Sequence, residues 1–574
     1  MIRTGCALAL ALILISCGKR GPSPDSEAGA NAALSAFVDS YFTSYFNFNP
    51  SEATSVGLHD YDSRLEERNA ARIQARIAEL QSQANEIESL RKKPLGFDEA
   101  IDATLLANRI QAELLDLNSI HVWRSPLYYA GMPGNAVDLL MKRNFAPPPA
   151  RLASVTARLR QVPALIQAMR DNTAEPPKEF TELALRIVKG SVPFFREAVP
   201  EWAKTAAGQD QKLMAEFNDA NRKAVTSLSV MSDHLERNVL PLSTGAFAIG
   251  ADQFSSKLKY EEMVDTPLDK LLRTGEAQLE RDYKAFIETA KRVAPGRKPT
   301  DAVNILSAEH PALGQLMQAA SSTLEDVRKF VVDHKIIPIP SEERAKVTPT
   351  PPYARAGVFA AMDTPGPYET KATEAFYYVT PTEPDWTLPH KLEHLKLYNR
   401  PVMDIITIHE AYPGHYVQFL YAKQFPTKTR KLISCGTNAE GWAHYAEQMM
   451  VEEGFGNGDP KILLAQLSEA LVRDARYVAG IKLHTAGWTV DEAAKLFVEK
   501  AFMEPANALE EARRGTYNPT YLYYTLGKLE IYDLREDYRR AKGNGFSLSQ
   551  FHQDFVKQGA IPIPLIRTIL LPGK

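Results

Sequence analysis

His409-Glu410-Ala411-Tyr412-Pro413-Gly414-His415 sets two imidazoles and a carboxylate close together, at the end of an apolar run with Ile405, Ile406 and Ile408. Apolar spacing before His409 predicts a helix, and a helix carrying this chemistry fixes what the surrounding chain must build. Zinc hydrolases need two neutral nitrogen ligands beside a general base, and the H-E-x-x-H helix supplies them at i and i+4. Here the second histidine is at i+6. At about 100° per residue it would lie about 120° from the first on an ideal helix. Pro413 cannot donate to the carbonyl of His409, and Gly414 permits backbone geometry closed to other residues. A bulge at this Pro-Gly pair is therefore expected to bring His415 back towards His409. A helix end followed by one surface histidine fits the spacing equally well.

Glu410 emerges from an apolar segment, and an isolated charge is costly to bury. A zinc ion held by His409 and His415 would resolve this, with Glu410 as general base. A third ligand is sought in Asn438-Ala439-Glu440-Gly441-Trp442-Ala443-His444-Tyr445-Ala446-Glu447. Glu440 and His444 are four residues apart, about 40° on one helical face. Glu440 is the preferred ligand, with His444 supporting it or replacing it. Further on, Arg514-Gly515-Thr516-Tyr517-Asn518-Pro519-Thr520-Tyr521-Leu522-Tyr523-Tyr524 is rich in tyrosine. A Tyr hydroxyl or an Arg can stabilise an oxyanion, and Arg can bind a peptide carboxylate bidentately. Tyr517, Tyr521 and Tyr524 share a helical face with the reach to act this way, as does Arg514. A packing stripe would show the same spacing.

Outward from these motifs the chain reads as helix. Ala70 to Arg91 carries Ile73, Ile77, Leu80, Ile87 and Leu90 near helical spacing. Ala100 to Leu117 and Pro149 to Arg170 behave similarly. Thr266-Pro267 starts a helix that Ala294-Pro295-Gly296 ends. Between Ile336 and Trp386 prolines forbid helix and predict extended connectors. Glu374 to Thr380, with Phe376, Tyr377 and Tyr378 at its centre, reads as a strand. Such a strand could bind an extended substrate through main-chain hydrogen bonds, or be a plain core strand. The fold class is thus mainly α, a large multi-helix body with a small β element beside a zincin-like metal-binding helix. The ranges are 30–335, an N-terminal helical region, and 336–574, a C-terminal region carrying the site; no clean linker separates them.

The chain has 574 residues, 44% hydrophobic and 24% charged, with a formal net charge of −3. That balance gives no electrostatic footprint for nucleic acid. Arg3 and the apolar run Ala7 to Ile15 form a short export signal over 1–16. Ser16-Cys17 resembles the bacterial lipobox, which makes Cys17 the lipidation site and 17–29 a flexible tether. More than one acyl chain gives stable anchoring. Cys6 leaves with the signal, so Cys435 stands alone, with no disulfide in the mature chain, and is expected to be a buried small side chain rather than a nucleophile.

Taken together, the opening Asn49-Pro50-Ser51-Glu52-Ala53-Thr54, the Glu374 to Pro381 strand, the His409 to Gln418 string, Glu440-Gly441-Trp442-Ala443 and Arg514 to Lys528 resemble the bacterial family catalogued as domain of unknown function 885. Members look like zinc metallopeptidases. The resemblance implies a mostly helical fold with a metal in a deep cleft. It assigns His409, His415 and Glu440 as ligands and Glu410 as base. Arg476 and His484 also look like the family's pattern, whereas Gly480 stands where Asp is common.

The leading expectation is a lipid-anchored, zinc-dependent peptidase acting on peptides in the cell envelope, facing the periplasm from the outer membrane or at the cell surface. The alternatives are a zinc amidase or esterase on a non-peptide substrate, and a non-catalytic ligand-binding lipoprotein.

Overall fold

The computed structural model describes residues 26–573, apart from 352–354 and 356–357. Cys17, the export signal and most of the tether lie outside the described residues. Helix α1 spans Glu27–Phe48, and the Ser26 hydroxyl caps it by accepting the Gly29 N–H at 3.2 Å. The tether therefore ends earlier than the expected residue 29. A Ser cap followed by Glu27 in the first turn is a strong helix start and outweighs Gly29.

The architecture is mainly α, with one three-stranded sheet. Helix α2 (Ala70–Leu90) is capped by Asn69 and buries Ile73, Ile77, Leu80, Ile87 and Leu90, the stripe its spacing predicts. Helix α3 spans Leu268–Val293. Strands β1 (Lys346–Pro349), β2 (Ala360–Asp363) and β3 (Phe376–Val379) follow, then α4 (Arg400–Glu410) and α5 (His415–Leu420). The site is completed by α6 (Gly436–Glu452), α7 (Pro460–Thr485), α8 (Pro505–Tyr517) and α9 (Tyr523–Lys542).

The sheet order is β1-β3-β2, with β1 parallel and β2 antiparallel to β3. Part of the proline-rich connector is thus a strand. Pro349 ends it at a sheet edge, where its missing N–H is not needed by a second neighbour. Both edges of β3 are occupied, so Phe376, Tyr377 and Tyr378 cannot receive a substrate strand, and that expectation is corrected. Tyr377 instead pins the sheet to α4, its hydroxyl 3.1 Å from Thr407 Oγ1.

One apolar cluster runs from Leu34 and Phe37 through Ile337 to Ile566 and Leu571. A line at 335/336 therefore cuts through a core rather than between two. A second cluster gathers Tyr129, Leu152, Leu159, Phe195, Phe217 and Leu228 from the N-terminal helices. Among the described residues no helix is long and apolar enough to cross a membrane.

Candidate metal centre

Helix α4 starts on Asn399, whose side chain accepts the Val402 N–H at 3.2 Å, with Pro401 in the first turn. Ile405 and Ile408 are fully buried, each stabilising the helix's seat by roughly 1.5–3 kcal/mol. The helix stops at Glu410. Residues 411–414 form a tight turn with a cis Tyr412–Pro413 bond, and α5 begins at His415. The expected bulge within one helix is therefore replaced by two helices. The turn folds back on α4, with the Gly414 N–H donating to Ile408 O at 3.1 Å. A Cβ at Gly414 would lie 1.8 Å from His409 O, so only glycine permits this approach. Trp442 Nε1 donates to Pro413 O at 3.0 Å, fixing the turn against α6.

Helix α6 brings the third residue. Its first-turn N–H groups at Gly436 and Thr437, which have no partner within the helix, donate to the buried Glu262 carboxylate at 3.0 and 2.8 Å, an anion where the helix dipole favours one. Cys435, at this cap, is buried as expected, and burial with Glu262 nearby lifts its thiol well above the usual range. Helices α6 and α9 meet at glycines: a Cβ on Gly441 would sit 2.6 Å from Gly527 Cα. That contact sets the depth at which Glu440 stands.

His409 Nε2 and His415 Nε2 lie 3.4 and 3.5 Å from Glu440 Oε2. The imidazoles are perpendicular, with centroids 4.9 Å apart, and the three donor atoms fall within 4.8 Å of one another. Burial works against a charged His409, yet Glu440 and Glu447 push its pKa up to about 10. Burial likewise opposes ionisation of Glu440, yet His415 and His409 hold it well below the usual carboxylate range. The surroundings thus favour positive charge between the Nε2 atoms and Glu440. Two imidazole nitrogens and a carboxylate oxygen are a zinc-type donor set, and the residues fit such an ion.

His409 is oriented from behind. Its Nδ1 lies 2.6 Å from Oε1 of the fully buried Glu447, which leaves Nε2 as the free lone pair. Metal-ligating histidines use their other nitrogen in this way. Glu447 also meets His444 Nδ1 at 3.1 Å and Arg473 Nη2 at 3.4 Å. His444 is therefore no ligand; it supports Glu447. Glu447 went unrecognised as a site residue although a signal exists: seven residues past Glu440, it returns to within about 20° on the helix. Arg473 carries no such signal. The His415 Nδ1 is buried without a hydrogen-bond partner.

Glu410 Oε2 accepts the Met362 N–H at 2.9 Å. Burial raises its carboxyl above the usual range, against the pull of His409 and His415. Because the Met362 N–H turns to Glu410, the open edge of β2 borders the site.

The tyrosine segment divides. Tyr521 is fully buried, wedged where a Cβ on Gly515 would meet its hydroxyl at 2.5 Å and one on Gly480 its ring at 3.0 Å. It packs, which also accounts for Gly480. Tyr517 packs edge-on against the Phe180 ring. The Tyr524 hydroxyl accepts from Arg514 Nη2 at 3.2 Å. The residue overlooked is Tyr523. Its ring covers Gly436 in the first turn of α6, its hydroxyl accepts from Asn518 Nδ2 at 3.0 Å, and the Glu440 charge acts on it. Arg476 is held bidentately by Glu511 at 2.7 Å, and His484 Nε2 donates to Gly515 O at 2.8 Å. Both are structural contacts away from the three ligand atoms.

Residues 50–570 match the family described as bacterial protein of unknown function (DUF885). The chain belongs to DUF885. Two solved structures share the fold. A candidate lipoprotein of unknown function from Shewanella oneidensis is 27% identical with a TM-score of 0.77, covering 94% of this DUF885 chain and 99% of its own. The crystal structure of a candidate lipoprotein from Colwellia psychrerythraea is 18% identical with a TM-score of 0.81, covering 94% and 98%. No curated protein matches this DUF885 chain.

Proposed function

We propose that this protein is a zinc-dependent peptidase of the cell envelope, lipid-anchored through Cys17. The observation that carries the reading is the convergence of His409 Nε2, His415 Nε2 and Glu440 Oε2 beside Glu410. Zinc held by these residues would supply a Lewis acid that acidifies water and polarises a carbonyl oxygen. Glu410 Oε2 is tied to the Met362 N–H, which leaves Oε1 to take a proton from water. Glu410 takes a proton from that water as its oxygen bonds the peptide carbon, then passes the proton to the nitrogen as the C–N bond breaks. A carboxyl lifted by burial suits both transfers. Tyr523 has its acceptor role filled by Asn518 and keeps its own hydrogen to donate to the developing oxyanion. The open edge of β2 binds the extended substrate through main-chain hydrogen bonds, with Glu410 beside it. The candidate-lipoprotein relatives support the envelope location.

The test is zinc content of metal-free protein after zinc addition, together with digestion of a mixed peptide library read by mass spectrometry. One zinc per chain is expected, with cleavage that Glu410→Gln abolishes. A library left intact by the zinc-loaded wild type, or cleaved equally well by Glu410→Gln, rejects the peptidase.

A further inference from the structure

Three arginines stand together behind the candidate site, and two are neutralised. Arg473 pairs with Glu447 and Glu469, and Arg476 with Glu511. Arg514, in the last turn of α8, forms no ion pair within 4 Å among the described residues; Glu511, already held by Arg476, acts on it from farther off, and its hydrogen-bond partner is the neutral Tyr524 hydroxyl. Its neighbour Arg513 turns outward to Glu510 and Glu182. Arg514 is only partly buried, and none of its nitrogens is both buried and unpartnered. Its remaining donors are therefore not sealed in the core.

Side-chain contacts lead from Arg514 towards the ligands. Its guanidinium meets the Tyr524 hydroxyl, and Tyr524 and Tyr523 are adjacent rings with centroids 4.9 Å apart. Tyr523 covers Gly436, one helical turn before Glu440. Two aromatic rings thus lie between this guanidinium and the helix that carries Glu440. An extended peptide advances about 3.5 Å per residue, so a few residues beyond a scissile carbonyl at the ligands span that wall. A guanidinium fork without an anion matches a carboxylate bidentately.

We propose that Arg514 receives the free α-carboxylate of the substrate, which makes the protein a carboxypeptidase releasing a short C-terminal piece. This rests on the peptidase reading above. The bond broken is an amide within a few residues of the C-terminus; water adds hydroxyl to the acyl carbon and a proton to the departing amine. Tyr524 holds the guanidinium in place, and Tyr523 forms the wall along which the departing residues lie.

The experiment uses a mixed library of N-acetylated pentapeptides, made once as free acids and once as C-terminal amides. Retention is measured on zinc-loaded Glu410→Gln protein, which holds substrate without turning it over. Free acids are expected to be retained at least about tenfold over amides, since a charge-assisted pair to Arg is replaced by a neutral one. Adding Arg514→Met should bring that ratio to about one, and Arg514→Lys should restore part of it. Equal retention of acids and amides, retention of neither, or a preference that survives Arg514→Met overturns the assignment. Wild-type digestion separates the two readings. Acids bound preferentially yet never cut would sink the peptidase and keep Arg514 as a carboxylate site; internal cleavage of acids and amides alike would do the reverse.

Discussion

Glu447→Gln isolates the device that orients His409. The carboxylate is fully buried and meets three donors: His409 Nδ1 at 2.6 Å, His444 Nδ1 at 3.1 Å and Arg473 Nη2 at 3.4 Å. Glutamine keeps the shape and one acceptor. It turns the bond to His409 from charge-assisted to neutral, roughly halving its strength, and, with its oxygen kept towards His409 and Arg473, presents an NH2 to His444 Nδ1. Partners of this kind typically contribute 10–100-fold to metal affinity, or about 1.4–2.8 kcal/mol. Arg473 keeps Glu469, so the fold should survive. Zinc affinity is read by competition with a chromophoric chelator, and stability of the metal-free protein by urea unfolding in EDTA. Zinc binding about 10–100-fold weaker is expected, together with a measurable loss of metal-free stability. An unchanged zinc affinity in folded Glu447→Gln protein would refute the assigned role.

Other substitutions probe different links. Gly414→Ala places a Cβ 1.8 Å from His409 O; it meets backbone rather than a pliable side chain, so a cost at or above the usual ~1–3 kcal/mol of overpacking is expected. Calorimetry should show a lower Tm and reduced zinc uptake, and an unchanged Tm would contradict the turn. Tyr523→Phe should lower kcat by about 10²–10³ with little change in zinc content, as for loss of one oxyanion donor; unaltered kcat removes Tyr523 from the chemistry. His552 is fully buried between the Ile336 carbonyl and the Tyr445 hydroxyl, and burial depresses its pKa from 6.5 to about 4. The neutral ring therefore contributes stability that is fully present above pH 6.5 and lost as pH falls through about 4, on the order of 3 kcal/mol. Urea unfolding at stepped pH should show one proton less of acid dependence in His552→Gln, and parallel curves would deny it.

Much of the helical layout was legible because burial repeats with the helix period. Ile73 to Leu90 announces α2, and the Thr266-Pro267 start and Ala294 stop bracket α3. The ligands were legible as residue types at suggestive spacing, since imidazole and carboxylate pairs have few other reasons to cluster. The roles of the tyrosines were not. Tyr517, Tyr521, Tyr523 and Tyr524 are close in sequence, but the Asn518–Leu522 break between two helices separates Tyr517 and the buried Tyr521 from the adjacent pair Tyr523 and Tyr524. The place of β3 in the sheet was hidden for a similar reason: an aromatic, β-branched run marks a strand, whereas pairing on both sides, not composition, makes β3 central and β2 an edge.

The sequence by itself determined a helical chain, its family and the candidate donors His409 and His415 with Glu440 or His444, because these are properties of residue type and short-range period. The tertiary structure decided how the donors meet. His415 reaches His409 through a turn that folds back on α4, which required Gly414 against the His409 carbonyl and Trp442 from another helix. Glu440 stands at its depth because Gly441 and Gly527 let two helices touch, a contact between residues 86 apart that no local pattern encodes.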